Sequence, residues 1–500
     1  MTDMTMCEMR REAAGRRRRV IFNNDGCDVW MHDGIPTGEH LLAQRTVPLV
    51  GTHVDTIAYC PIHSGFAQTS HNTKVGSLYT GKHGSRAKNM TAELIAQGTD
   101  VLQVNVEFAH AHGLESFASL RMNDTHDGWA GWDSPLLSPL KRDHPEWLLG
   151  TPDSPPAFGR WSAVNFALAP VRTLAFALIE ELCTGYDIDG IELDFLRHET
   201  YFPSTAAGET CTDEERALMT GLLCRVRAMA DEVARRRGRP LLISARVEDS
   251  IALSRDLGLD IERWLEDDLV DLVAASDYFR MAPWREMAAL CAAHGVPFYP
   301  CLSDARVRDA EGRALRESLE CCRGRAMNAY RAGAAGVELF NLFDPHHPAL
   351  RELGDPAALA TRDKVYFASV SGLGGAHWRV PNPQRYRQLP ILSPEPETHC
   401  TLPLSAERIC VPVEVGDDTT HGPLPEVTLK LRIAGTRRAD DLHVWLNDAE
   451  LTGGRFEDNL LCFRLAPPQV RLGNNGVAVA VWPGATTAPV LEDIQVHVRY

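Results

Sequence analysis

The stretch YDIDGIELDFLRHETYF, Tyr186 to Phe202, decides how the rest of the chain is read. Its apolar run of Ile188, Ile191, Leu193 and Phe195 carries the carboxylates Asp187, Asp189, Glu192 and Asp194. An ordinary buried strand does not hold unmatched acids, because ionised groups are costly to take out of water. Side chains alternate across a strand, so Ile191, Leu193 and Phe195 share one face and Glu192 and Asp194 the other, about 7 Å apart along the backbone. Upstream, VRTLAFALIEELC (Val171 to Cys183) has the apolar spacing of a helix, and Gly185 stands where a C-cap glycine would. Helix, short turn and strand form the αβ unit of a parallel sheet. Asp187 and Asp189, before the strand proper, read as turn residues.

The same unit recurs on both sides. RRVIFNNDGCDVW gives a first strand at Val20 to Phe22, THVDTIAYCPI a second near Val54 to Cys60, and LESFASLRMNDTHD a third. Alternation in the third puts Ser116, Ala118, Leu120 and Met122 on one face and Phe117, Ser119, Arg121 and Asn123 on the other. After the opening stretch come strands at Leu241 to Val247, Leu269 to Phe279, Pro297 to Leu302 and Gly336 to Phe343. Helical patterns at Asp213 to Arg237, Asp260 to Glu266, Trp284 to His294 and Leu315 to Ala332 separate them. Eight strands alternating with helices or long loops predict an α/β fold, a (β/α)8 TIM barrel over residues 18–380. No glycine-rich phosphate fingerprint follows the first strand, which argues against a doubly wound sheet. Polar loops at Gly65 to Lys88 and Asp124 to Ser162 are expected over the barrel mouth. The second carries Trp129, Trp132, Trp147 and Trp161.

Near residue 381 the texture changes. A proline-rich linker leads into short β-type runs (ICVPVEV, EVTLKLRI, LHVWLND, LLCFRLA, VAVAVWP and IQVHVRY), so residues 381–500 are expected as an all-β antiparallel sandwich. Residues 1–17 read as a polar N-terminal extension, and the basic run Arg16 to Arg19 as solvated.

Of the 500 residues, 44% are hydrophobic and 24% charged, the composition of a globular chain with room for two domains. A net charge of -16 argues against nucleic acid or an anionic membrane as partner, since both reward basic surfaces. No apolar run follows the basic residues as in a secretory signal, and none has the roughly 20 residues of a membrane span, so a cytoplasmic location is expected. The 13 cysteines show no CxxC spacing, and those in apolar runs (Cys60, Cys183, Cys224, Cys291) read as small buried hydrophobes.

In such a barrel, ligands sit at the C-terminal strand ends, so polar residues that end apolar strands are the candidates. They are Asn24 and Asp25, Arg121 and Asn123, Glu192 and Asp194, Ser244, Arg246 and Glu248, Asp277 and Tyr278, and Glu338 and Asn341. Converging carboxylates suit glycosidic cleavage, which needs a protonated acid for the leaving oxygen and a second carboxylate as nucleophile or base. Crowding of acids raises the pKa of at least one. Trp129, Trp132 and Tyr278 are candidates to stack on sugar rings, or to pack their own loops. Arg121, Arg197 and Arg246 either neutralise the acids or hold an anionic substrate group such as a uronate or sulfate. Glu338, mid-strand in GVELFNLF, is either catalytic or too deep for chemistry. His126, His144 and His198 lie beside loop acids, but no spacing specifies a metal site, and neither metal nor cofactor is expected.

YDIDGIELDFLRH, LESFASLRMNDTHD and the Gly336 to Phe343 strand resemble the barrel of bacterial glycosyl-hydrolase-like proteins related to family 10, which implies carbohydrate hydrolysis. The fourth strand is also similar to the DGxDxDxE strand of family 18 chitinase-type enzymes. Glu192 and Asp194 then match the two middle acids, and Leu196 falls where that family has its catalytic glutamate. The expectation is a glycoside hydrolase acting on an oligo- or polysaccharide. Asp194 is the expected general acid, tuned by Glu192, and Glu248, Asp277 or Glu338 the second carboxylate. Asn123, Arg121 and Arg246 would hold substrate. The alternatives are a metal-dependent barrel lyase or isomerase with Glu192, Asp194 and a loop histidine as ligands, and a glycan-binding protein without turnover.

Overall fold

The computed structural model describes residues 5–81, 88–276, 280–303, 310–368, 381, 383–386, 388, 401–485 and 487–500. Eight parallel strands close into a barrel: β1 (Val20–Asn24), β2 (Val54–Tyr59), β3 (Glu115–Arg121), β4 (Gly190–Asp194), β5 (Leu242–Val247), β6 (Leu272–Ala275), β7 (Phe298–Leu302) and β8 (Val337–Phe340). Each strand pairs with its neighbour in chain order, and β1 closes the ring by pairing with both β2 and β8. The expected (β/α)8 fold is therefore present. The sixth strand is shorter than Leu269 to Phe279, and Asp277 and Tyr278 lie outside the described residues.

The opening stretch folds as its alternation requires. Ile191, Leu193 and Phe195 face outward into the main apolar core beneath the helices. Inside the barrel, Ile21, Ala58, Phe117, Leu242, Leu272 and Tyr299 form an apolar layer in its N-terminal half. Two residues further along β1, β3 and β5, the inward positions turn polar: Asn23, Ser119 and Ser244. The change from an apolar to a polar layer positions the site. Asp187 and Asp189 lie at the opposite end, where Asp189 is bonded to His110 (2.9 Å), Arg239 (2.8 Å) and the Ser116 N–H (2.9 Å).

The N-terminal segment is solvated only in part: Arg16 and Arg17 are exposed as expected, but the segment is docked on the barrel. Helix Met6–Ala14 places Ala14 on the apolar layer and brings Arg10 Nε within 3.3 Å of Asp271. Within the basic run, Arg18 is fully buried. It donates to both Glu115 oxygens at 2.7 and 2.9 Å and to the Ala13 and Ala14 carbonyls at 2.8 Å. Arg19 pairs with Asp55. No local pattern signals this, because the acids that meet Arg18 and Arg19 lie 97 and 36 residues away.

The C-terminal region forms two antiparallel sheets around one shared apolar core, the expected sandwich. Lys364–Phe367 precedes residue 381 yet pairs with Val490–Arg499, so it belongs to this sheet system. A buried ion pair, Arg316 to Asp493 at 2.7 Å, ties the sandwich to the barrel. So do Asn328 to the Glu414 carbonyl and Arg331 to the Gly416 carbonyl, both at 3.0 Å. The described cysteines are free thiols; Cys60, Cys183 and Cys291 are buried as expected, but Cys224 is exposed on helix Asp213–Arg237. No described helix is long and apolar enough to cross a membrane.

Candidate active site

The polar half of the barrel is built around Glu192, Asp194, Arg246 and Glu338, each 2% exposed or less. Asp194 and Arg246 are register partners on β4 and β5. Arg246 Nη1 meets Asp194 Oδ2 at 3.1 Å, and its Nε meets Glu338 Oε1, across the barrel on β8, at 3.0 Å. One guanidinium thus joins two of the predicted acids, while its carbon sits 3.8 Å from the centre of the Phe340 ring. Arg246 Nη2 is buried and has no hydrogen-bond partner among the described residues.

Glu192 Oε1 accepts from Asn23 Nδ2 at 2.8 Å and from Ser119 Oγ at 2.7 Å. Its carboxyl neighbours that of Glu338, and two buried carboxyls side by side favour keeping a proton on one of them. Burial, and next the charge of Glu192, push Glu338 well above the usual carboxylate range, against the pull of Arg246. Burial raises Glu192 as well, with Arg246 opposing it and Asp194 adding to it. Three acids and one arginine therefore settle by keeping a proton within the Glu192 and Glu338 pair.

The remaining predicted residues divide between mouth and scaffold. Arg121, register partner of Asp194, donates to Asp124 at 2.9 Å and to the Asp25 carbonyl at 3.3 Å rather than to Asp194. Asp25 is clamped by Arg45. Burial works to raise its carboxyl, but Arg45 and Arg121 outweigh burial and hold it below the usual range. Asn24 turns away from the interior, bonding Asp28 at 2.9 Å and the Gly26 N–H at 3.1 Å. Asn123 is committed to backbone: it donates to the Thr200 and Val164 carbonyls (2.8 and 3.3 Å) and accepts from the Val164 N–H (2.9 Å). That leaves it pinning the loop after β3 to the loop after β4. Arg197 reaches Asn341 Oδ1 at 3.4 Å and lies 4.6 Å over Phe340. Asn341 itself has φ +56°, a left-handed conformation uncommon for a side-chain-bearing residue and frequent near functional sites.

Glu248 is buried just past β5. Asp249 follows it, accepts from Ser276 Oγ at 2.8 Å and from the Met281 N–H at 3.1 Å, and is raised by burial to about 6. Trp129 is 73% exposed, with the Arg160 guanidinium 3.8 Å from its ring centre. Trp132 packs edge-on against Trp161 at 4.8 Å. A cavity of about 410 Å³ opens at the ends of β7 and β8, and Phe340, Asn341, Phe343 and Ser303 are among its lining residues.

Sequence reading passes over Asn23, Ser119, Arg45, Cys301 and Asp124, and it weighs His126 and His198 only as histidines beside loop acids. Ser119 was identifiable, since it shares the Arg121 face of β3. Asn23 was identifiable from the alternation that puts it opposite Asn24. Arg45, from a helix before β2, and Cys301, 3.4 Å from Arg246 Nε, carried no local signal.

Asp124, His126 and His198 each bring a ligand atom within 4.8 Å of the others, the place to seek a metal. The set fits a cation poorly. Arg121 occupies one Asp124 oxygen, His198 Nδ1 already accepts the Thr125 N–H at 3.1 Å, and the charges of Arg160 and Arg197 bear on His198. The ligand set anticipated from sequence does not form either, since Asp194 is committed to Arg246 and Glu192 to Asn23, Ser119 and Glu338.

Fold and site together define a (β/α)8 barrel protein with a buried cluster of acids and one arginine in its C-terminal half. No protein-family model and no curated protein sequence matches this chain. Solved structures similar to it include the family 36 α-galactosidase of Geobacillus stearothermophilus, at 10% identity and a TM-score of 0.37, covering 97% of this chain and 56% of that one. A family 18 N-acetylglucosaminidase of Paenibacillus barengoltzii gives 13% identity and a TM-score of 0.37, over 67% of this chain and 99% of that one. An α-amylase of Anoxybacillus gives 11% and 0.41, over 94% and 99%. This chain thus spans little more than half the length of the galactosidase.

Proposed function

We propose that the chain is a glycoside hydrolase acting on an oligo- or polysaccharide. The observation that carries this reading is the buried cluster in which Arg246 meets both Asp194 and Glu338 beside Glu192, with burial and the charge of Glu192 raising Glu338 well above the usual carboxylate range. Glycosidic cleavage needs an acid that is still protonated near neutral pH and an anion to face the positive charge developing on the sugar ring. The roles expected from sequence are thereby redistributed. The Glu192 and Glu338 pair supplies the proton to the leaving oxygen, and Asp194, held by Arg246, faces the oxocarbenium-like transition state. With these carboxyls at 2% exposure or less, substrate reaches them only after the mouth opens.

The finer reading, kinship with family 10-related proteins and a cytoplasmic setting, is carried by the sequence alone. An anionic substituent on the sugar is supported by the arginines past the strand ends, Arg197 beside Asn341 and Arg160 over the exposed Trp129. The test is release of reducing ends from matched neutral, uronate-bearing and sulfated oligosaccharides. Cleavage with preference for the charged members is expected, and no release from any of them contradicts the reading.

A further inference from the structure

His126 lies five residues beyond the end of β3, on the side of the barrel where its strands end, and is not used by the chemistry above. Its Nδ1 is 2.6 Å from Asp124 Oδ1, and the same oxygen accepts its backbone N–H at 3.0 Å. Asp124 is fully buried, and Arg121 fixes its other oxygen at 2.9 Å. Burial works to raise Asp124, but His126 first and Arg121 next overcome that and keep it an anion. An anion there accepts the Nδ1–H, so the lone pair of neutral His126 sits on Nε2. Nε2 makes no hydrogen bond among the described residues, and the side chain is 37% exposed. His198 flanks it edge-on at 4.7 Å, with its own Nδ1 occupied by the Thr125 N–H. An imidazole oriented by a buried carboxylate, with its far nitrogen open, is the arrangement of a general base.

The group lies just past the strand next to that of Asp194. Arg121 pairs in register with Asp194, and the charges of Arg121, Asp194 and Asp124 all bear on the buried thiol of Cys60. We infer that His126, oriented by Asp124, is the base that activates water for attack on the anomeric carbon, a role that rests on the hydrolase reading. The water O–H bond breaks and its proton goes to Nε2, while its oxygen bonds to the anomeric carbon. The glycosidic C–O bond breaks with its electrons on the leaving oxygen, which takes the proton from the Glu192 and Glu338 pair. The imidazolium returns its proton through solvent to that pair, so the net change is addition of water. Direct attack by water inverts the anomeric configuration.

The experiment uses the full chain and a panel of p-nitrophenyl glycosides, including glucuronides. Proton NMR of the ligand-free wild type should show a far-downfield, slowly exchanging Nδ1–H that is missing from His126→Gln. On a glycoside the wild type cleaves, His126→Gln should lose about 100-fold or more in kcat with little change in KM. Added imidazole should restore turnover to His126→Gly, and the first product should carry inverted configuration. Absence of the resonance, wild-type kcat in His126→Gln or a retained product overturns the inference while leaving the hydrolase reading intact. A wild type that cleaves no member of the panel and releases no reducing ends from the oligosaccharides above overturns both.

Discussion

Arg246 meets Asp194 through Nη1 at 3.1 Å, and the two residues are register partners on adjacent strands of the barrel. The same guanidinium bridges to Glu338 at 3.0 Å. A single buried cation therefore faces three buried carboxyls, and a proton kept on Glu338 leaves two carboxylates for it to offset.

Arg246→Met should be severely destabilising. Removing one partner of a buried pair leaves uncompensated charge, at a cost of about 3–5 kcal/mol. Arg246→Lys should recover only part of this, because an ammonium cannot present two fixed donors to two carboxylates. Urea denaturation measures both, and a loss below about 1 kcal/mol for Arg246→Met would show that the pair is not structurally coupled.

Stability should depend on pH in a direction set by Glu338. Its carboxyl holds a proton more readily in the folded than in the unfolded chain. The stability it contributes is complete below the ordinary carboxylate range and is lost as pH rises toward the raised folded value. His63 acts in the opposite sense. Burial lowers it from 6.5 to about 3, so its contribution is present above pH 6.5 and is lost as pH falls toward 3. Urea denaturation from pH 4 to 9 should show a declining limb on the alkaline side that Glu338→Gln flattens, with at most about 1.4 kcal/mol per pH unit for one proton. An unchanged slope in Glu338→Gln would mean that Glu338 is ionised in the folded chain.

Asn123→Ala should loosen the mouth rather than abolish substrate recognition. It removes one acceptor and two donor contacts to the backbone of Val164 and Thr200. A loss of about 1–3 kcal/mol is expected from the groups left unsatisfied, with faster proteolysis within residues 124–162. Unchanged proteolysis together with a raised KM would return Asn123 to a substrate-binding role.

Much of the barrel was legible because its signal is local. The alternation in YDIDGIELDFLRHETYF sends Ile191, Leu193 and Phe195 to the helices and Glu192 and Asp194 to the interior, as the structure has them. What a strand pattern cannot convey is which cation meets which acid across the barrel. Arg121, Arg197 and Arg246 are equivalent candidates in the sequence; strand order sets both Arg121 and Arg246 beside Asp194, and the side-chain contacts give Arg246 to Asp194 and Glu338 while Arg121 turns to Asp124. Asn23 and Asn24 show the cost of one residue of phase: the pair was read for its second member, yet it is Asn23 that reaches Glu192. Arg18 was read as solvated because its partner, Glu115, comes from another strand.

The most direct measurement is the turnover of Glu338→Gln and Asp194→Asn on a glycoside cleaved by the wild type, with folding verified by circular dichroism. Each variant should lose at least about 100-fold in kcat, Glu338→Gln for want of the donated proton and Asp194→Asn for want of the facing anion. Wild-type turnover in either variant would contradict the role proposed for that carboxyl.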